Sequence, residues 1–184
     1  GGMAEEYGWS INCDICNNIF VTVYTGSSDF PTLDPGGSTY YQPAIGGSWD
    51  GFILKFDNVG ALQWATYYGG TNSEGDGYKG ASITSDSNSN IFVTGYTSSA
   101  DFPTLPPGAG GYFDPSLDGW RDAYILKFDN TGVPLWATYY GGSNDDWAYS
   151  IACDNNNDVL ITGNTTSGDL PVSAGAFQNT FAGG

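Results

Sequence analysis

Any chemistry in this sequence must come from carboxylates, aromatic rings and thiols. Histidine is absent, and only Lys55, Lys79, Arg121 and Lys127 carry positive charge. Ser-His-Asp and Cys-His catalysis and imidazole metal sites are therefore excluded. Asn144, Asp145 and Asp146, together with Asp154, Asn156 and Asp158, offer hard oxygen ligands of the kind calcium takes. Asp154, Asn156 and Asp158 have the alternating spacing that opens an EF-hand loop. Val159 stands where that loop needs glycine, and no glutamate follows. The same residues also read as plain turn formers, since Asp and Asn bond to nearby backbone. Asp145, Asp146, Asp154 and Asp158 are thus the candidate calcium ligands, and no other cofactor is implied.

Cys13, Cys16 and Cys153 are odd in number, so pairing within one chain is incomplete. A Cys13–Cys16 bridge would close a small loop; the alternatives are a chain-to-chain bond through Cys153 and three unpaired thiols. A redox Cys-x-x-Cys centre wants a helix N-terminus, and zinc wants a fourth soft ligand; neither is evident. Trp64 and Trp136 repeat at matching positions with Tyr67, Tyr68, Tyr139 and Tyr140, which reads as core packing. Trp49, Trp120 and Trp147 fall nearer loops and are the candidates for a ligand or partner surface, glycans included. Asn164-Thr165-Thr166 is the sole Asn-x-Ser/Thr sequon, making Asn164 the candidate glycosylation site.

The elements that position these residues follow from composition and repetition. The chain has 184 residues, 20 acidic against 4 basic, for a formal charge of −16. That charge excludes binding to a run of phosphates and repels an anionic membrane. No apolar run approaches the ~20 residues of a membrane span. The opening Gly1-Gly2-Met3-Ala4-Glu5-Glu6 is not a basic-then-apolar leader, so a secreted form is expected to be processed or excised. Thirteen Tyr, ten Phe and six Trp supply a substantial core, and 28 Gly supply turns. The pattern predicts an ordered all-β protein.

Trp-Ala-Thr-Tyr-Tyr-Gly-Gly occurs at 64–70 and again, unchanged, at 136–142. Ile53 to Asn58 returns as Ile125 to Asn130. Asp29-Phe30-Pro31-Thr32-Leu33 returns at 101–105 and, weakened, at 169–173. The offsets are 72 and then 68 residues, giving units 1–68, 69–140 and a partial 141–184. Repetition on this scale means a solenoid, propeller or array. Each unit reads as four short strands: Trp9–Cys13, Ile19–Thr25, Gly51–Phe56 and Leu62–Tyr68 in the first, with equivalents from Ala81 and from Tyr149 onward. Phe52-Ile53-Leu54 and Tyr124-Ile125-Leu126 are apolar at consecutive positions, so both faces of the third strand should be buried. Antiparallel four-stranded sheets stacked face to face meet that requirement, which is the β-propeller arrangement.

The run Ser-Ile-x-x-Asp, Asn-Ile-Phe-Val-Thr-Gly-Tyr-Thr-Ser-Ser, Asp-Phe-Pro-Thr, Asp-Ala-Tyr-Ile-Leu-Lys-Phe-Asp and Trp-Ala-Thr-Tyr-Tyr-Gly-Gly resembles the SBBP (seven-bladed β-propeller) repeat of bacterial proteins. The resemblance covers essentially the whole chain. It implies a propeller-type fold in a large secreted or surface-attached protein, and says less about activity. Under three repeats are present, so an open or incomplete ring is expected, with uncovered faces and strand edges that recruit other strands. The expected partners are copies of the same chain, in a ring or filament, or neighbouring repeats of a longer chain. Loops 26–50 and 98–122 would be displayed at an extracellular or cell surface in a structural or adhesive role. The alternative is a carbohydrate- or protein-binding module of a larger secreted protein. Catalysis is not expected. Glu5, Glu6, Glu74 and many Asp would furnish a glycosidase pair, but acids this abundant are unspecific. Arg121 is a lone arginine where sialidase-type propellers use a cluster, and Ser48-Trp49-Asp50-Gly51 is an incomplete Asp box.

Overall fold

A computed structural model describes residues 1–75 and 80–183; Lys79 and Gly184 lie outside the described residues. Ten strands and no helix occur among the described residues. They are β1 (Glu6–Cys13), β2 (Ile19–Thr25), β3 (Asp50–Phe56), β4 (Leu62–Tyr68), β5 (Ser82–Ser85), β6 (Ile91–Thr97), β7 (Asp122–Phe128), β8 (Pro134–Tyr140), β9 (Asp146–Cys153) and β10 (Val159–Thr165). They form two four-stranded antiparallel sheets, β1-β2-β3-β4 and β5-β6-β7-β8, and the two-stranded sheet β9-β10. None closes into a barrel, so the architecture is an open, propeller-type repeat fold. Each sheet takes its strands in chain order, so the first two strands of a unit pair with the next two rather than with the preceding pair.

Turn chemistry sets the hairpins. After β1, Asp14 Oδ1 accepts the amides of Cys16 (2.9 Å) and Asn18 (2.8 Å). Asp86 and Asp154 do the same for Asn88 and Asn90 and for Asn156 and Asp158. Asn17, Ser89 and Asn157 adopt the left-handed conformation these turns need, with φ between 61° and 66°. The β3–β4 and β7–β8 turns instead end on Gly60 (φ 85°) and Gly132 (φ 97°).

The first strands of the three sheets lie together, with β5 between β1 and β9. Asn12 Nδ2 bonds Ser85 Oγ at 2.7 Å, and the Ile151 amide bonds Ser82 Oγ at 3.3 Å. Phe20, Ile53, Trp64 and Tyr68 of the first sheet pack against Ile83, Val93, Tyr124, Leu126 and Tyr139 of the second. The same positions one repeat on, Phe92, Ile125, Trp136 and Tyr140, meet Ile151 and Ile161 of the third. The third strands β3 and β7 are buried along most of their length, as their continuous apolar runs require. Trp136 and Tyr140 are covered less fully than Trp64 and Tyr68, because the third sheet brings two strands instead of four.

The Asp-Phe-Pro-Thr element is a strap. Leu33 exchanges two backbone hydrogen bonds with Ala65 on the outer edge of β4, and Leu105 does so with Ala137 on β8. Its Asp caps the loop after Gly-Gly: Asp29 Oδ1 accepts the Met3 amide, Asp101 Oδ1 that of Thr71 and Asp169 Oδ1 that of Ser143. Tyr68 Oη donates to Pro103 O at 2.7 Å, and Tyr140 Oη to Pro171 O at 2.8 Å, tying each last strand to the next unit's strap. The outer strand edges are thereby blunted. On β10 no further strand is paired among the described residues.

Candidate functional site

Two of the three loop tryptophans line the same cleft. Trp49 directly precedes β3, and Trp120 with Arg121 directly precedes β7; Trp49 and Arg121 hold the same repeat position, 72 residues apart. All three line one cleft of about 420 Å³ between the first two sheets, with Asn72, Ser73, Gly75, Tyr96 and Ser98. Trp120 is 87 % exposed. The Trp49 ring lies 5.6 Å from that of Tyr7, and Arg121 Cζ lies 5.9 Å from the Tyr96 centroid. The polar wall is held by Asn72 Nδ2 donating to Ser98 O (3.0 Å) and Ser98 Oγ donating to Ser73 O (2.9 Å). The Glu74 and Asp146 amides donate to the carbonyls of Trp49 and Arg121, both at 2.7 Å, fixing these two main chains at the sheet junctions.

Trp147 is elsewhere. It lies inside β9, which starts three residues before the position expected from the sequence, and it is 9 % exposed. Its indole borders a separate groove with Asp146, Tyr140 and Leu170.

The four candidate calcium ligands fall at opposite ends of β9, Asp145 and Asp146 at one and Asp154 and Asp158 at the other, about 25 Å apart at the usual rise per strand residue. Asp154 Oδ1 is committed to two turn amides. Asp146 Oδ2 accepts from the Gly142 amide (2.8 Å) and Ser167 Oγ (2.7 Å). Among the described residues no group of three or more acidic or thiol side chains is disposed to hold a metal ion. Cys13 and Cys16 are exposed and Cys153 half-buried, all three outside any disulfide. Burial pushes the Cys153 thiol above its ordinary value, with Asp86 adding to the shift. Asn164 is exposed on β10, in register with Trp147 of β9.

A group that sequence reasoning overlooked sits beneath the cleft. Asp50, at the start of β3, and Glu74, before β5, are both 0 % exposed and share a hydrogen bond. A Cβ on Gly69 would lie 2.1 Å from Glu74 Oε2 and 2.7 Å from Asp50 Cγ, so the two carboxyls converge over a glycine. Glu74 Oε1 accepts from Thr97 Oγ1 (2.6 Å) and Ser99 Oγ, and Oε2 from the Gly70 amide (3.0 Å). Asp50 accepts from Gln42 Nε2 (3.0 Å) and the amides of Gly46 (2.8 Å) and Gly47 (3.0 Å). Burial pushes Glu74 up to about 8, and the facing Asp50 adds to this.

The next junction repeats the pair as Asp122 and Asp146, less completely. Asp146 is one methylene shorter than Glu74, and Asp114 stands where Gln42 supplied a donor. Asp122 Oδ1 and Asp146 Oδ1 are left buried without hydrogen bonds, and burial with the Asp146 charge raises Asp122 to about 6. The signal was in the sequence: an acid stands four residues after the Gly-Gly that opens each repeat, at Glu6, Glu74 and Asp146, and Asp50 and Asp122 open the third strands. Asp50 and Glu74 are sealed between the sheets and bonded to each other, whereas Asp146 also borders the groove beside Trp147.

The class defined by this fold is an all-β repeat protein of stacked four-stranded units. The model of the β-propeller repeat, SBBP, matches residues 63–103 and 135–171, so the chain carries SBBP β-propeller repeats. Relatives include an uncharacterised WD repeat-containing protein of Acanthamoeba polyphaga mimivirus, 31 % identical over 131 residues, which are 70 % of this chain and 9 % of that protein. Another is the regulatory protein FlaEY of Caulobacter vibrioides, 28 % identical over 148 residues, 80 % of this chain and 15 % of that protein. The chain thus spans under a sixth of either relative's length. Propeller repeats and a WD-repeat relative point to a non-catalytic repeat protein.

Proposed function

We propose that the chain is a non-enzymatic structural module that joins further copies of itself through its uncovered sheet faces, building a filament or ring at an extracellular or cell surface. One observation carries this. Ile83, Val93 and Leu126 of the second sheet are buried against the first sheet. Their counterparts in the first sheet, Ile11, Val21 and Leu54, have no sheet over them among the described residues; Ile11 is 67 % exposed, and Val21 and Leu54 are half-buried. At the other end Leu160, the counterpart of Phe20 and Phe92, is 56 % exposed. One end therefore offers the face that receives a preceding sheet, and the other a face of the kind that covers a following one. Such a heterologous contact propagates. The surface setting and adhesive display of loops 26–50 and 98–122 rest on the resemblance of the repeats to those of secreted proteins. A binding module within a longer chain is the second reading, favoured by the cleft that gathers Trp49, Trp120 and Arg121.

Analytical ultracentrifugation and negative-stain microscopy test the assembly. The wild-type chain should form concentration-dependent rings or filaments, and Ile11→Asp with Leu160→Asp should give a monomer of unchanged melting temperature. A wild-type chain that stays monomeric at high concentration overturns the reading.

A further inference from the structure

We propose that the cleft between the first two sheets binds a carboxylated saccharide, with Trp49 and Trp120 as stacking platforms and Arg121 as the carboxylate anchor. Trp120 forgoes the burial that Trp64 and Trp147 obtain, being 87 % exposed against 4 % and 9 %. It lines, with a second indole, a cleft of about 420 Å³, within the size range of small-ligand sites. Indoles present flat apolar faces with polar edges, which suit the C–H face of a pyranose ring whose hydroxyls point to a polar rim. Asn72, Ser73 and Ser98 form that rim and are already bonded to one another, so little ordering remains on binding.

Arg121 decides the ligand's charge. Among the described residues the one ion pair is Lys127 with Asp86, so this guanidinium has no carboxylate partner there despite 20 acidic residues in the chain. Its side chain donates no hydrogen bond among them either. A guanidinium fork held beside an aromatic ring is suited to a bidentate carboxylate. One cation in a chain of net charge −16 fits a ligand bearing one charge at the site and not a run of phosphates, which needs several. The nearest acids, Asp50 and Asp122, are buried beneath the cleft and shifted toward their neutral forms by that burial. Repulsion from acids more than about 8 Å away is screened at physiological salt, whereas the contact with Arg121 is direct.

The test titrates trigalacturonate, a glucuronate-containing tetrasaccharide and their methyl esters into the full chain, read by tryptophan fluorescence and calorimetry. At least one acid should bind, with its neutral ester about tenfold weaker or more, as for loss of a charge-assisted hydrogen bond. Trp120→Ala should weaken acid and ester alike. Arg121→Gln should bring the acid down to the ester's affinity and leave the ester unchanged. Both side chains are at the surface of the cleft, and unchanged melting curves confirm folding. Failure of every acid to bind, or an acid-over-ester preference that survives Arg121→Gln, overturns the proposal. The Ile11→Asp, Leu160→Asp chain is used in parallel, so that loss of self-assembly and loss of saccharide binding are read separately.

Discussion

Replacing Glu74 by Gln should move the pH of maximum stability upward. Unfolded, this side chain titrates near 4.5; folded, it is held at about 8 by burial and by Asp50. Between those values the folded state binds the proton more tightly, so its contribution is full below pH 4.5 and is lost as pH rises through 8. At about 1.4 kcal/mol for each tenfold change in proton concentration, the interval corresponds to about 5 kcal/mol. That is a large part of the ~5–15 kcal/mol by which a domain is stable, and corresponds to a melting shift of about 10 °C or more. The tyrosines facing the pair do not titrate in this range, because burial holds Tyr139 near 12 and raises Tyr40 further. Below pH 4 the opposite group takes over. Asp86, Asp101, Asp129 and Asp169 all titrate below their ordinary value, Asp101 and Asp169 chiefly through amides and Asp86 and Asp129 through hydrogen bonds that outweigh burial. Their contribution is present above about 3.8 and lost as pH falls. Wild-type stability should therefore peak near pH 4–5 and decline toward pH 8. In Glu74→Gln the amide donates to Asp50 as the protonated acid does, and the alkaline decline should flatten. Guanidinium unfolding of both chains at several values between pH 4 and 9 measures this. Parallel profiles, or a wild-type curve flat from pH 5 to 8, would refute the shared proton.

Two further outcomes are expected. A Cβ on Gly47 would sit 1.4 Å from the Asn72 backbone carbonyl, which cannot swing aside as a side chain would. Gly47→Ala should thus cost about 3 kcal/mol or more, while Gly168→Ala, where nothing lies within 4 Å, should unfold like wild type. Chelation by EDTA should leave the melting temperature unchanged, since Asp154 is bonded to the amides of its own turn, that of Asp158 included, and Asp145 and Asp146 lie at the far end of β9; a fall restored by added calcium would contradict this.

The strands were legible because each repeat states its turns. Ile19–Thr25, Ile91–Thr97, Val159–Thr165 and Leu62–Tyr68 end where Asp, Asn and Gly change the backbone, and the structure ends them there too. First strands were read too short at β1 and β9. Glu6 pairs with Thr25 across a register shift between Gly8 and Ser10, and Asp146 with Thr165 across one at Thr162 and Gly163; a period-2 reading stops at such a shift. That error is why Trp147 looked like a loop residue. The cleft lined by Trp49, Trp120 and Arg121 was half visible, since Trp49 and Arg121 share a repeat position. Their convergence needs the second sheet laid on the first, which no single unit encodes.

The carboxyl pairs went unread for a different reason. In a chain with 20 acids, an acid after the Gly-Gly that opens each repeat looks like surface charge. What marks Glu74 is its neighbours: Gly69 has no Cβ, and Thr97 and Ser99 reach it from β6 and the loop beyond. A buried acid survives only where such donors and a shared proton replace water. At the second junction, Asp146 and Asp114 replace Glu74 and Gln42, and two carboxylate oxygens lose their partners. Repeats this alike in sequence, with Trp-Ala-Thr-Tyr-Tyr-Gly-Gly unchanged between them, therefore make junctions of unequal strength. If so, loosening as pH rises should begin between the second and third sheets, where Asp122 titrates near 6, before the first junction yields near 8. Hydrogen exchange of β9 amides against β3 amides, followed from pH 5 to 8, orders the two events, and earlier loss of protection in β3 would reverse the assignment.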